Sequence, residues 1–255
     1  MEDPPLASLS LTHVHYNPAD PFSLASAHLA LVPQALVITY TALLWSTREV
    51  EILLMFTGQM ACEAFNWLLK RYIKEERPTR KRQKSCRSAS ISAEYMVVEM
   101  HGKGYGMPSS HAQFVAFFSV FLTLLLLVRH NPHHPNATST MHSPTPYWQR
   151  LALSLVSLAS AAAVAASRIY LNYHTERQVL VGCVTGALCA VAWFAVVSVA
   201  RHFGLVDVLL DTPPARWLRL RDLVVHEDLV DAGWERWELR RTRLKGQQDA
   251  SKKTS

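Results

Sequence analysis

The sequence predicts an all-α polytopic membrane helix bundle of about five transmembrane helices, with a polar site gathered at one membrane face. Three observations carry this. Nearly half of the 255 residues are apolar, yet the mean hydropathy is only +0.06, because apolar and charged residues are segregated into blocks. Five apolar stretches approach the roughly 20 residues that a helix needs to cross a hydrocarbon core of about 30 Å, where lipid offers no partner for an unpaired backbone group. The polar residues concentrate where these stretches begin and end.

The first span is expected over residues 24–45, following a polar N-terminal segment, 1–23, that lacks the basic n-region and short apolar core of a cleavable signal. The second, 50–69, is the least apolar, being interrupted by Glu51, Gln59, Glu63 and Asn66. The third, 112–128, is apolar on every side and reads as a lipid-facing helix. The fourth, 151–166, is rich in Ala and Ser. In the fifth, 179–200, Gly182, Gly186 and Ala190 recur every four residues, which permits close backbone approach between helices in lipid. Three of the four cysteines, Cys62, Cys183 and Cys189, fall inside these spans and Cys86 lies in a loop, so neither a disulfide framework nor a zinc site follows. The membrane domain is taken as 24–203, with a basic insertion at about 79–103. The charged tail, 204–255, contains Trp217, Trp234 and Trp237 and reads either as an interfacial amphipathic helix or as a disordered, partner-binding segment.

Residues 70–104 hold ten Lys/Arg against four Glu, an excess equal to the +6 of the whole chain. Such a concentration at a membrane surface suits an anionic partner. With five crossings, the loops after spans two and four share a face, and three polar clusters converge there. In the first, Lys70 and Arg77 stand seven residues apart; if the helix continued that far they would point the same way about 10 Å apart along its axis, with Pro78 fraying the end at Arg77. In the second, Ser109 or Ser110 can cap the third span, whose free N–H groups form an anion site, and His111 can donate a proton to a leaving oxygen. In the third, Arg168 can grip phosphoryl oxygens with two parallel hydrogen bonds, and His174 is a competent nucleophile toward phosphorus. Each cluster alone has an ordinary reading as membrane anchors or helix caps. Together they supply the positive charge, nucleophile and acid that phosphoryl transfer requires. No paired carboxylates with metal-like spacing occur on this face, so no metal or other cofactor is expected.

These clusters resemble the three motifs of the type 2 phosphatidic acid phosphatase superfamily, K-x6-RP, P-S-G-H and S-R-x5-H-x3-D. The resemblance implies phosphate binding by Lys70, Arg77, Arg168, Ser109 and the backbone at Ser110, a general acid in His111, and a nucleophile in His174 that passes through a phosphohistidine. Ser110 stands where the family has glycine. Gln178 stands where it has the aspartate that orients the nucleophile; an amide oxygen can still accept the Nδ1–H of His174, but without a carboxylate's charge. Asn66 to Lys70, Gly104 to Phe114, Tyr173 to Thr175 and Gln178 to Leu180 are similar to the dolichyl diphosphatase branch, in which glutamine at that position is usual. The branch implies hydrolysis of dolichyl diphosphate to dolichyl phosphate, supporting dolichol recycling for protein N-glycosylation, in a multi-pass endoplasmic reticulum protein with a lumenal site. Its partners would be the bilayer and its lipid substrate, with no nucleic acid. A broader lipid phosphate phosphatase, acting on phosphatidate or sphingoid phosphates, and a catalytically silent lipid-binding protein are the alternatives. Loop charge points the other way on topology, since Lys/Arg excess favours the cytosolic side; the resemblance is followed here, which makes the sequon at Asn136 cytosolic and unmodified.

Overall fold

The computed structural model describes residues 7–9, 14–77, 105–130, 145–226, 233–234, 237–244 and 246. The expectations attached to Pro78, the insertion 79–103, Cys86 and the sequon lie outside them.

A short antiparallel hairpin, β1 (Ala7–Leu9) and β2 (Val14–Tyr16), precedes the helices. Asp20 then caps α1 (Pro21–Leu29), its carboxylate accepting from Phe22 N–H at 3.0 Å. α1 is followed by α2 (Val32–Thr47). Together they make the first crossing, Pro21–Thr47, but as two helices, because Pro33 in the first turn of α2 cannot donate the next helical hydrogen bond. The other crossings are single rods: α3 (Val50–Ile73), α4 (Ser110–Leu124, prolonged by a π-helical turn Leu125–Arg129), α5 (Tyr147–Tyr170) and α6 (Glu176–His202). All five crossings are long and apolar enough to span a membrane. Among the described residues the protein is a helical membrane bundle with that one hairpin.

α4 occupies the middle, packed against α3, α5 and α6. Its all-round apolar character does not make it lipid-facing: Phe117 and Phe121 are fully buried, in a core with Tyr40, Met55, Cys62 and Ala190. A helix hydrophobic on every side is what a central position among other helices requires. The exposed apolar surface falls instead to the surrounding helices, for example at Ile38 of α2, Leu68 of α3, Leu155 and Val156 of α5, and Leu180 and Leu188 of α6.

The small-residue stripe of α6 is the contact with α4. A Cβ added at Gly182 would sit 2.7 Å from the Ser109 carbonyl oxygen, and one at Gly186 would sit 2.3 Å from that of Gln113. Both obstacles are backbone, which cannot swing aside as a side chain can. Gly186→Ala is therefore expected to destabilise the bundle by about 1–3 kcal/mol, read as a lower thermal midpoint in detergent; an unchanged midpoint would contradict the close approach.

Asn66 and Gln59 of the second span are hydrogen-bonded to α4. Asn66 Nδ2 donates to Gln113 Oε1 (2.6 Å), Gln113 Nε2 donates to the Cys62 carbonyl (3.0 Å), and Gln59 Nε2 donates to the Phe114 carbonyl (3.3 Å). These buried bonds tie α3 to α4, where an unpaired amide would be costly. At the other membrane face, Glu51 is fully buried between Arg129 and Arg201. Arg201 also grips Asp222 at 2.6 and 3.0 Å, and Glu49 Oε2 accepts from the N–H groups of Leu223 and Val224. So the tail does not leave the domain at residue 203. After α7 (Leu205–Asp211) and α8 (Pro213–Leu218) the chain returns to the turn between α2 and α3 and is ion-paired there.

Candidate active site

The site lies at the face opposite the Glu51 cluster, where α3 and α5 end and α4 and α6 begin. α3 stops at Ile73, and Lys74 takes a left-handed conformation that turns the chain. Lys70 is in the last helical turn, whereas Arg77 lies four residues beyond the helix. Arg77 thus sits in the loop, and the reversal at Lys74 brings it over the site, with its Cγ 3.0 Å from the position a Cβ on Gly106 would take. Arg77 Nε is buried with no hydrogen-bond partner among the described residues, and burial lowers the Arg77 pKa from its ordinary value. A cation so desolvated gains from any anion that reaches it.

Gly106 N–H donates to the Glu75 carbonyl at 2.7 Å, which joins the turn after α3 to the start of α4. Ser109 holds the N-cap position of α4 but makes no side-chain cap; its Oγ is buried with no partner among the described residues, while its N–H donates to the Gln178 backbone carbonyl (3.2 Å). The expectation that a serine caps this helix is thus not met. The N–H groups from Ser110 onward in the first turn lack intrahelical acceptors, so the uncapped end and the idle hydroxyl form one donor cluster. His111 Nε2 lies 3.2 Å from the Ala30 carbonyl oxygen. A carbonyl can only accept, which puts the hydrogen on Nε2.

Arg168, at the end of α5, is 2% exposed. Its Nη2 donates to the Ser26 carbonyl at 3.1 Å, and Nε and Nη2 both reach Ser167 Oγ at 3.2 Å. Nη1 makes no hydrogen bond among the described residues. The N-terminal segment therefore belongs to the site: α1 supplies the carbonyls that orient His111 and Arg168, and His15 N–H donates to Tyr173 Oη (2.9 Å). No signal in the sequence marked Ser26 or Ala30, because backbone carbonyls have no residue signature.

His174 lies in the turn between α5 and α6 and is 5% exposed. Thr175 and Gln178 form a capping box at the start of α6. Gln178 Oε1 faces His174 Nδ1 at 3.2 Å, and Gln178 Nε2 donates to Glu75 Oε1 (2.9 Å) and the Glu76 carbonyl (2.8 Å). With the amide NH2 committed to two acceptors, Oε1 is the acceptor toward the ring, so His174 carries its hydrogen on Nδ1 and keeps the lone pair on Nε2. Burial first, and then the charge of Arg77, push the His174 pKa down to about 4; the Gln178 hydrogen bond and the Gly106 backbone oppose the shift. Lys70 is within electrostatic reach of Arg77, of both histidines and of Glu63.

The structure thus brings together Lys70, Arg77, Ser109, Ser110, His111, Arg168, His174 and Gln178, from segments as far apart in sequence as α3 and α6. Glu75 is the participant that sequence reasoning missed; the only sign of it was an acidic pair inside a basic cluster. Among the described residues no group of three His, Cys, Asp or Glu is placed to hold a metal ion.

The fold is that of an integral-membrane helix bundle. The profile of the PAP2 superfamily matches residues 48–201, and the chain belongs to that superfamily. Its relatives place it with the dolichyldiphosphatase branch. A Neurospora crassa protein with the provisional name dolichyldiphosphatase is 49% identical over 93% of this chain and 93% of its own length. Dolichyldiphosphatase 1 of Homo sapiens is 37% identical over 73% of this chain and 69% of its own. The crystal structure of a transmembrane PAP2 type phosphatidylglycerolphosphate phosphatase from Bacillus subtilis covers 69% of this chain and 73% of its own, at 19% identity and a TM-score of 0.46.

Proposed function

We propose that the protein hydrolyses dolichyl diphosphate to dolichyl phosphate and phosphate through a phosphohistidine on His174. One observation carries the reading: buried donors without a partner among the described residues, Ser109 Oγ and Arg77 Nε, lie near a histidine whose Nδ1 faces Gln178 Oε1. Idle buried donors are costly unless a ligand satisfies them, and a terminal phosphate supplies the acceptor oxygens. The dolichyldiphosphatase relatives name the lipid.

In the first step the Nε2 lone pair of His174 attacks the terminal phosphorus, in line with the bridging oxygen. The bond from phosphorus to that oxygen breaks, and dolichyl phosphate leaves with a proton from the Nδ1 of a doubly protonated His111, which keeps its Nε2–H on the Ala30 carbonyl and is left neutral. Lys70, Arg77, Arg168, Ser109 and the N–H at Ser110 hold the equatorial oxygens, where charge develops. As Nε2 bonds to phosphorus the imidazole becomes cationic, and Gln178 Oε1 accepts the Nδ1–H. In the second step water attacks the phosphohistidine, His111 takes a proton from that water, and the electron pair of the P–N bond returns to Nε2. No step calls for a metal ion. The activity would serve dolichol recycling for N-glycosylation, from the lumenal face of the endoplasmic reticulum membrane.

The test is phosphate release by the purified chain in detergent with chelator present, from dolichyl diphosphate and from phosphatidate. Release that resists chelator and is at least about tenfold faster from the diphosphate is the expected result. Comparable rates would favour a broader lipid phosphatase, and none from either lipid would favour lipid binding without turnover.

A further inference from the structure

Gln178 differs from the family's aspartate by lacking charge, yet its amide is the most fully engaged group in the site. Oε1 accepts from His174 Nδ1 (3.2 Å) and from Thr175 N–H (3.3 Å), and Nε2 donates to Glu75 Oε1 (2.9 Å) and the Glu76 carbonyl (2.8 Å). Gln178 is fully buried. A Cβ on Gly106 would come within 2.8 and 2.9 Å of its two amide atoms, so the glycine lets the backbone close over the amide. Glu75 reaches Gln178 because Lys74 reverses the chain after α3, and the Glu75 carbonyl is pinned by Gly106 N–H (2.7 Å).

An amide held from one side by a carboxylate behaves differently from a free one. Its orientation is determined, since swapping O and N would set the carbonyl oxygen against two acceptors. Its oxygen is also more strongly polarised, because hydrogen bonds in a chain reinforce one another in a low-dielectric site. Resting on the reading of His174 as nucleophile, we propose that Glu75 is a positioning residue for the reaction: through Gln178 it holds His174 in the Nδ1–H tautomer and conveys to the ring the negative charge that glutamine lacks. The chain His174, Gln178, Glu75 thus takes the place of a direct His–Asp pair, with the carboxylate one hydrogen bond further from the phosphoryl group. That distance keeps an anion away from the incoming diphosphate.

Three variants separate charge from geometry. Glu75→Gln leaves an acceptor for Gln178 Nε2 but removes the charge, and is expected to lower kcat by about tenfold; Glu75→Ala also removes one of the two acceptors that fix the amide, weakening its hold on orientation, and is expected to cost about 100-fold, the range for a hydrogen bond to a charged group. Glu75→Asp keeps the charge and recovers part of the rate. KM should stay within about threefold in all three, because Glu75 touches no substrate. A purely structural role would not move the second readout, the 15N spectrum of labelled histidine, in which His174 is assigned by its absence from His174→Ala. Wild type and Glu75→Gln should report the Nδ1–H tautomer, and Glu75→Ala a mixture. Wild-type kcat in Glu75→Gln and Glu75→Ala, or an unmixed tautomer in Glu75→Ala, overturns the inference. Turnover by His174→Ala overturns the underlying reading instead, and the tautomer measurement is informative even if the lipid tested is not turned over.

Discussion

Replacing His174 by alanine is expected to abolish phosphate release, by about four orders of magnitude or more, the usual scale for removing a covalent nucleophile. The loss should lie in kcat, with lipid still bound by Lys70, Arg77 and Arg168. The variant should also remain folded: the capping box survives without the imidazole, since Gln178 Oε1 still accepts from Thr175 N–H and Gln178 N–H still donates to Thr175 Oγ1 (3.2 Å). Acid quench during turnover should trap phosphate on the wild-type protein and none on the variant. The same residue sets the acid limb of the rate. Only the neutral ring can attack, and burial with the nearby charge of Arg77 and Lys70 lowers the His174 pKa to about 4, so the ring is neutral above that value and protonated below it. In the wild type kcat/KM should hold down to about pH 4 and fall beneath it; a limb near the ordinary 6.5 of histidine would show that the ring is neither so dry nor so close to Arg77 as the structure places it.

The second large effect is expected at Arg168. Arg168→Ala should lower kcat/KM by about 10³, the lower end of what an arginine contributes to stabilising a transferring phosphoryl group. Arg168→Lys should recover only part of this, because an ammonium keeps the charge but not the fork that reaches Ser26 O and Ser167 Oγ while leaving Nη1 for the phosphate. Since Arg168 is buried, its truncation also loosens α5 from α1, and the thermal midpoint must be measured beside the rate. If Arg168→Ala stays folded and works within tenfold of wild type, the guanidinium is an anchor between helices and not a phosphate ligand.

Much of this site was legible because its chemistry is written in short strings. Lys70, Arg77, Ser109, His111, Arg168 and His174 stand at motif spacing, and each lies within a few residues of a span end, where charge is tolerated. Pro78 marks the helix as fraying at Arg77, but the chain leaves it earlier, at Lys74. Non-glycine residues seldom take a left-handed backbone, so nothing local announced the turn. The serine expected to cap α4 keeps its hydroxyl free, a difference set by where Ser109 Oγ points. The third span looked lipid-facing for a related reason: composition reports that a helix avoids water, and in a bilayer both the lipid and the protein interior satisfy that preference.

The sequence alone determined which segments are helical and membrane-spanning, because the need to satisfy backbone groups in hydrocarbon acts on each stretch of chain independently of the others. It also determined the inventory of reactive groups. Tertiary structure decided how they are arranged: that the Ser26 and Ala30 carbonyls meet Arg168 and His111, that α4 is central, that the tail is clamped by Glu49 and Arg201, and that Glu75 stands behind Gln178. These contacts join residues many positions apart through backbone carbonyls and single carboxylates, whose energies depend on distance and burial rather than on residue type, and distance exists only once the helices have packed.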